Sequence, residues 1–179
     1  MVRKAAFIVA IALLALTAAC SSSSSPTSAA ARVTAAAAAA TTCPTANTTS
    51  FAKTRFVANA ALAGGAFQRY IYTPAREGKF GKGASGRTTA LVKAAAAGAL
   101  AINRLDAAKS DAQANPTLCK LIVTPLDDLT TSITGLVTKS KTGDISSTDV
   151  NGVSSQLANF RSAATQGGAA FTDNTHVSV

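Results

Sequence analysis

Apolar residues recur at intervals of three and four through four long stretches of this chain, and no stretch alternates strongly at period two. That pattern fixes the fold class before anything else does, because a helix presents every third and fourth residue to one side. The clearest case is Val150, Val153, Leu157, Phe160 and Ala164. A helix carrying these starts near Ser146 or Ser147, has Asp149 in its first turn and stops at Gly167-Gly168.

Three further stretches read the same way. The first predicted helix runs from Ser50, a plausible N-cap, to Tyr72, with Phe56, Ala60, Phe67 and Ile71 near one face. Gly64 and Gly65 interrupt it, which points to a second helix passing close by. Thr73-Pro74 should end it, and residues 73–87 read as a loop. The second helix starts at Ser85 or Arg87 and ends at Ser110, with Leu91, Ala94, Ala95, Gly98, Ile102 and Leu105 inward. The third covers Thr117 to Lys139, with Leu118, Leu121, Ile122, Leu126, Leu129, Ile133 and Leu136 as its stripe. Thr124-Pro125 in its middle is either a kink or a fresh start. Four amphipathic helices joined by short turns give an all-α, four-helix bundle over residues 50–168. The remainder, 169–179, reads as a disordered tail.

Ahead of the bundle the composition changes. Arg3 and Lys4 precede an uncharged apolar run to Ala19, then Cys20, then Ser21 to Ser25. At ~1.5 Å per residue this run falls short of a ~30 Å hydrocarbon core, so a cleaved signal is expected rather than a spanning helix. The segment Leu16-Thr17-Ala18-Ala19-Cys20 resembles the lipobox of bacterial lipoproteins, with Thr17 where that motif usually has Leu. The Ala/Thr-rich composition is similar to that of exported proteins of high-GC actinobacteria. The resemblance implies removal of residues 1–19 and a thioether-linked diacylglycerol on Cys20, with an amide-linked acyl chain such as palmitate. It also implies a place on the cell membrane, lipid-anchored and facing outward. Residues 20–49 then read as a Ser/Ala/Thr-rich flexible linker.

The anchor shapes the other inferences. Losing Arg3 and Lys4 lowers the formal charge from +9 to +7. A basic domain at the cell surface is drawn to anionic lipid, wall polymer or an acidic envelope protein, and the compartment argues against nucleic acid. With Cys20 acylated, Cys43 and Cys119 remain, either as a disulfide, which an oxidising compartment favours, or as two free thiols.

Basic residues concentrate between Lys53 and Lys93, where Glu77 is the sole acidic residue. Arg76, Lys79, Lys82 and Arg87 form a candidate binding loop, with Phe67, Tyr70, Tyr72 and Phe80 interleaved. The alternative is a solvated basic loop with Phe67 and Tyr70 in the core. Gly81, Gly83 and Gly86 match a dinucleotide-binding spacing, but a helix and not a strand precedes them, so that reading is set aside. Catalysis has little to rest on. His176, the only histidine, lies in the tail, and Asp127 and Asp128 point about 100° apart on a helix. No metal site or cofactor is expected. The sequence therefore describes a non-enzymatic binding or scaffolding module. Its rival is a carrier holding an apolar ligand among Leu91, Ile102, Leu129 and Phe160.

Overall fold

The computed structural model describes residues 42–179; the expected signal segment, Cys20 and most of the linker lie outside the described residues. Helix α1, Ala52–Phe67, continues through a π turn, Gln68–Tyr72, into a single further turn, α2, Thr73–Arg76. A tight loop, 77–86, leads to α3, Arg87–Gln113; α4 spans Pro116–Thr142 and α5 spans Ser147–Gln166. Among the described residues the fold is all-α, with four long helices and no strand. Helix α3 packs between α1 and α4, and α5 lies against α4. Phe56 of α1 meets Phe160 of α5 edge-on, ring centroids 5.8 Å apart, and brings the outer helices together.

The core is built on unequal partners. The buried face of α3 is mostly alanine: Ala94, Ala97, Ala101, Ala108 and Ala112, all inaccessible. That of α4 is Leu118, Ile122, Leu126, Leu129, Ile133 and Leu136, each 2 % exposed or less. Burying one such aliphatic side chain stabilises by about 1.5–3 kcal/mol, so this stripe dominates the interior. It also settles the proline question: α4 runs unbroken through Pro125. The proline leaves the Leu121 carbonyl without its helical donor. Leu121 and Thr124 are exposed, so water can supply one, and the stripe keeps its register on both sides.

Pro74 likewise fails to end the first helix where expected. Ahead of it the backbone widens, and Thr73 N–H donates to the Gln68 carbonyl five residues back. A widened turn relieves the clash between a proline ring and the carbonyl four residues earlier. Four extra residues, Thr73–Arg76, therefore stay helical, and only 77–86 are loop.

The helix ends follow local chemistry. Asn115 caps α4, its side-chain oxygen accepting from the backbone N–H groups of Thr117 (3.1 Å) and Leu118 (2.9 Å), with Pro116 first in the helix. Ser146 and Asp149 cap α5 reciprocally. The start of α1 departs from expectation. Ser50 is exposed and the cap position falls on Phe51, whose φ of 59° is left-handed. The chain is held just upstream: Thr48 N–H donates to the Ala114 carbonyl (3.0 Å) and Asn115 donates to Asn47 (2.8 Å). Those bonds dictate the angle of entry, and Phe51 takes up the difference. They also mean that the part of the expected linker after residue 42, though mostly exposed, is fastened to the bundle rather than loose. Cys43 and Cys119 stand at disulfide distance, S–S 2.00 Å and Cα–Cα 5.6 Å, stapling this segment to the start of α4.

The largest correction concerns the tail. Residues 169–179 form a strap across α1. Ala169 and Val177 are buried, and Phe171 packs against Phe56 and Phe160. Asn174 N–H donates to the Ala61 carbonyl (2.9 Å), and Arg161 pairs with Asp173. The strap, not a helix, is what Gly64 and Gly65 admit: a Cβ on Gly65 would sit 1.7 Å from the Asn174 carbonyl oxygen.

Candidate functional site

The up-and-down connectivity gives the bundle two dissimilar poles. At one lie the Cys43–Cys119 staple, the start of α1, the α3–α4 turn and the end of α5. At the other lie the π turn, α2, the loop 77–86, the start of α3 and the α4–α5 turn. Helix α3, with 27 residues, separates them by about 40 Å. The basic loop belongs to the second pole.

There an open groove of ≈ 530 Å³ runs between the first helix and the start of α3. Its lining includes Arg69, Tyr70, Glu77 and Lys79 from the first helix and the loop, and Ser85, Gly86, Thr89 and Lys93 from the end of the loop and α3. The loop can turn this tightly because Gly78, Gly83 and Gly86 adopt φ of 69°, 82° and 73°. Phe80, 6 % exposed, pins its middle to the core.

The four residues expected to form the binding loop divide into two kinds. Lys79 and Lys82 are exposed, and Lys79 lines the groove. Arg87 is structural: its Nε donates to the Phe80 carbonyl (2.9 Å) and its Nη2 to the Gly143 carbonyl (2.6 Å), tying the loop to the end of α4. Arg76 lies over the Tyr72 ring, 6.0 Å from its centroid, with its guanidinium donating to the Tyr72 hydroxyl (3.4 Å). Phe67 is buried, whereas Tyr70 is half-buried and its hydroxyl donates to the Val177 carbonyl (3.1 Å).

Two basic groove residues fell outside the expected binding loop. Lys93 stands one and a half turns into α3, and Arg69 lies in the π turn. Arg69 donates to the carbonyls of Thr175 (2.9 Å) and Val177 (3.1 Å), so the strap ends at the groove. Their basic character was legible; the backbone that gathers them was not.

Electrostatics set this pole apart. Among the described residues the ion pairs are Arg55–Asp111, Lys109–Asp127, Lys139–Asp149 and Arg161–Asp173. None uses Arg69, Arg76, Lys79, Lys82, Arg87 or Lys93, and Glu77 is the only carboxylate on this stretch. Asp127 links α4 to α3 through Lys109 at 2.6 Å. Asp111, 3 % exposed, is held by Arg55 (3.1 Å) and by the Asn59 amide (3.1 Å).

Gly81, Gly83 and Gly86 follow a helical turn, and among the described residues no strand precedes them. Leu91, Leu129 and Phe160 lie inside the hydrophobic core, with Ile102 packed against it, and none of the four borders the groove. His176 is exposed on the strap. Among the described residues no cluster of three or more His, Cys, Asp or Glu could hold a metal, and no helix is long and apolar enough to cross a membrane. No family model, curated protein or solved structure matches this chain.

Proposed function

We propose that this chain is a lipid-anchored helical module of the cell envelope, attached through Cys20, that binds an anionic partner through the groove at its basic pole. The observation that carries the binding half is the concentration of cations free of internal ion pairs around one concave surface. Lys79 and Lys93 both line it, and Lys82, also exposed, lies three residues past Lys79 on the same loop. Paired surface charges offer a partner little, because their field is already cancelled. Unpaired cations in a concavity raise the local potential and draw in anions. The anchoring half rests on the lipobox resemblance, and the staple near the start of the domain suits an exported chain.

The test holds net charge constant. Lys79→Glu with Lys82→Glu should strongly reduce retention on a phosphorylated matrix. Lys53→Glu with Lys120→Glu, the same charge change at the opposite pole, should reduce it far less. Equal losses would show that retention follows net charge alone, and the groove would lose its role.

A further inference from the structure

We infer that Arg69 is the residue that orients an anion in the basic groove. The strap holds it through Nη1 and leaves the Nε–Nη2 edge of its guanidinium free, as a fork for two oxygens of a terminal phosphate group. This rests on the anion-binding reading above and deepens it.

Two observations carry it. The first is how Arg69 is held. It is exposed, and an exposed arginine ordinarily samples many rotamers. Here Nη1, which has two hydrogens to give, donates to the carbonyls of Thr175 (2.9 Å) and Val177 (3.1 Å). The guanidinium carbon lies 5.3 Å from the centre of the Tyr70 ring. These contacts restrain the guanidinium without using Nε or Nη2, which make no hydrogen bond or ion pair among the described residues. Nε–H and one N–H of Nη2 run parallel along one edge, the geometry that grips two oxygens of one group. The strap is fixed in its turn. Val177 is buried, its carbonyl also accepts from the Tyr70 hydroxyl (3.1 Å), and Asn174 N–H donates to the Ala61 carbonyl (2.9 Å). A fork restrained in advance spares the complex the cost of ordering a long side chain.

The second is that this edge is unspent and shares the groove with other cations. Arg87, at the same pole, uses its own Nε and Nη2 on the carbonyls of Phe80 (2.9 Å) and Gly143 (2.6 Å), and Arg76 does not line the groove. Arg69 lines it together with Lys79 and Lys93. Glu77 is the one carboxylate in that lining, and it makes no ion pair among the described residues. Three cations against one carboxylate match a doubly charged group better than a singly charged one. A terminal phosphate, with about −1.5 to −2 charges at neutral pH, meets that condition and has the adjacent oxygens the fork requires. The lysines then supply point charge, and Arg69 supplies orientation.

The experiment titrates the full-length protein, in a non-ionic detergent, with inorganic phosphate at neutral pH and at an ionic strength held constant with sodium chloride. Backbone amides and arginine Nε–H groups are followed by NMR. In the wild type the Arg69 Nε–H signal should move downfield as phosphate is added and stay in place when chloride alone is raised. Arg69→Lys keeps the charge and removes the fork, and should lose phosphate affinity about tenfold. Arg55→Lys, the same exchange at an arginine outside the groove, should change it little. Val177→Asn is uncharged and places an amide where a valine is buried, which releases the outer strap. It should lose affinity roughly two- to tenfold, because the ligand must then order Arg69 itself. Acetate, which fits the fork with a single charge, should bind more weakly than phosphate; equal binding would overturn the phosphate assignment. If Lys79→Glu/Lys82→Glu abolishes phosphate binding while Arg69→Lys binds as the wild type does, the role of Arg69 is overturned and the anion-binding groove stands. If Val177→Asn binds more tightly, the strap masks the arginine instead of presenting it, and the preorganisation is overturned. If the wild type binds no phosphate, or the lysine pair can be reversed without loss, the groove reading falls and this inference falls with it. A cooperative thermal transition in each variant separates lost binding from lost folding.

Discussion

Replacing Gly65 by alanine sets two well-defined effects against each other. Alanine is favoured over glycine in a helix interior by about 1 kcal/mol, so on helix physics alone the change stabilises. In this bundle the new Cβ would lie 1.7 Å from the Asn174 carbonyl oxygen and 2.3 Å from its carbon, both backbone atoms. The strap must withdraw by more than 1 Å to reach the 3.0 Å below which such contacts do not occur. Withdrawal breaks the bond from Asn174 N–H to Ala61 and loosens those that Arg69 and Tyr70 make to the strap. At about 1 kcal/mol per neutral bond and somewhat more for a charged donor, the loss is roughly 2–4 kcal/mol. The net expectation is destabilisation by about 1–3 kcal/mol after the helical gain is deducted. Gly152→Ala is the matched control. It lies in α5, exposed, with nothing within 4 Å of the new Cβ, and should stabilise by about 0.5–1 kcal/mol. Denaturant unfolding followed by far-ultraviolet circular dichroism reads both. Removing residues 170–179 should convert Gly65→Ala into a stabilising change, because nothing then opposes it. A Gly65→Ala chain more stable than wild type at full length would refute the strap as the reason for the glycine pair.

Other expectations can be checked by the same means. Reducing Cys43–Cys119, which closes a separation of 76 residues, should lower stability by up to about 4 kcal/mol in the chain-entropy picture and shift the urea midpoint accordingly. Phe51 is 78 % exposed and left-handed, so Phe51→Gly should raise the unfolding free energy by about 1 kcal/mol, since strain is relieved and little packing is lost. Hydrogen bonds from Lys139 and then Ser146 hold the Asp149 carboxyl below its ordinary value of 3.8. The folded value being depressed, its contribution is present above pH 3.8 and is lost as pH falls through the lower folded value. A carboxyl titration by NMR should place Asp149 below 3.8, and Lys139→Met should raise it. Ser146→Ala, which removes the cap of α5, should cost about 1 kcal/mol.

How far the sequence foretold this molecule depends on where the information lay. Stripes such as Leu118 to Leu136 and Val150 to Ala164 were legible because periodicity is a local signal and the burial it demands is large. The alanine face of α3 was only half legible: Ala95 and Ile102 were expected inward, but Ala97, Ala101, Ala108 and Ala112 carry the seam. Alanine is indifferent to its surroundings, so a run of it does not announce a face. Pro74 and Pro125 misled for the same reason. Each costs one hydrogen bond, and a widened turn or an exposed carbonyl absorbs that cost while the core gains more. The strap was illegible because it has no helical periodicity and several of its partners lie more than a hundred positions away, as Arg69 holds Thr175. The glycine pair did announce a close approach, without saying what approached. At the groove, the charges were visible as a list; that Arg87 is a strut while Lys79 and Lys93 line one groove followed only from the turn of the loop.

The claim on which the functional account depends is that this bundle hangs from a lipid at Cys20. Intact mass spectrometry of the mature protein from its native host, with and without reduction and thiol alkylation, tests it most directly. The account predicts a chain beginning at Cys20 that carries added acyl mass, with two alkylatable thiols appearing only after reduction. An unacylated chain cleaved elsewhere would contradict it, and the anchored half of the proposed function would fall.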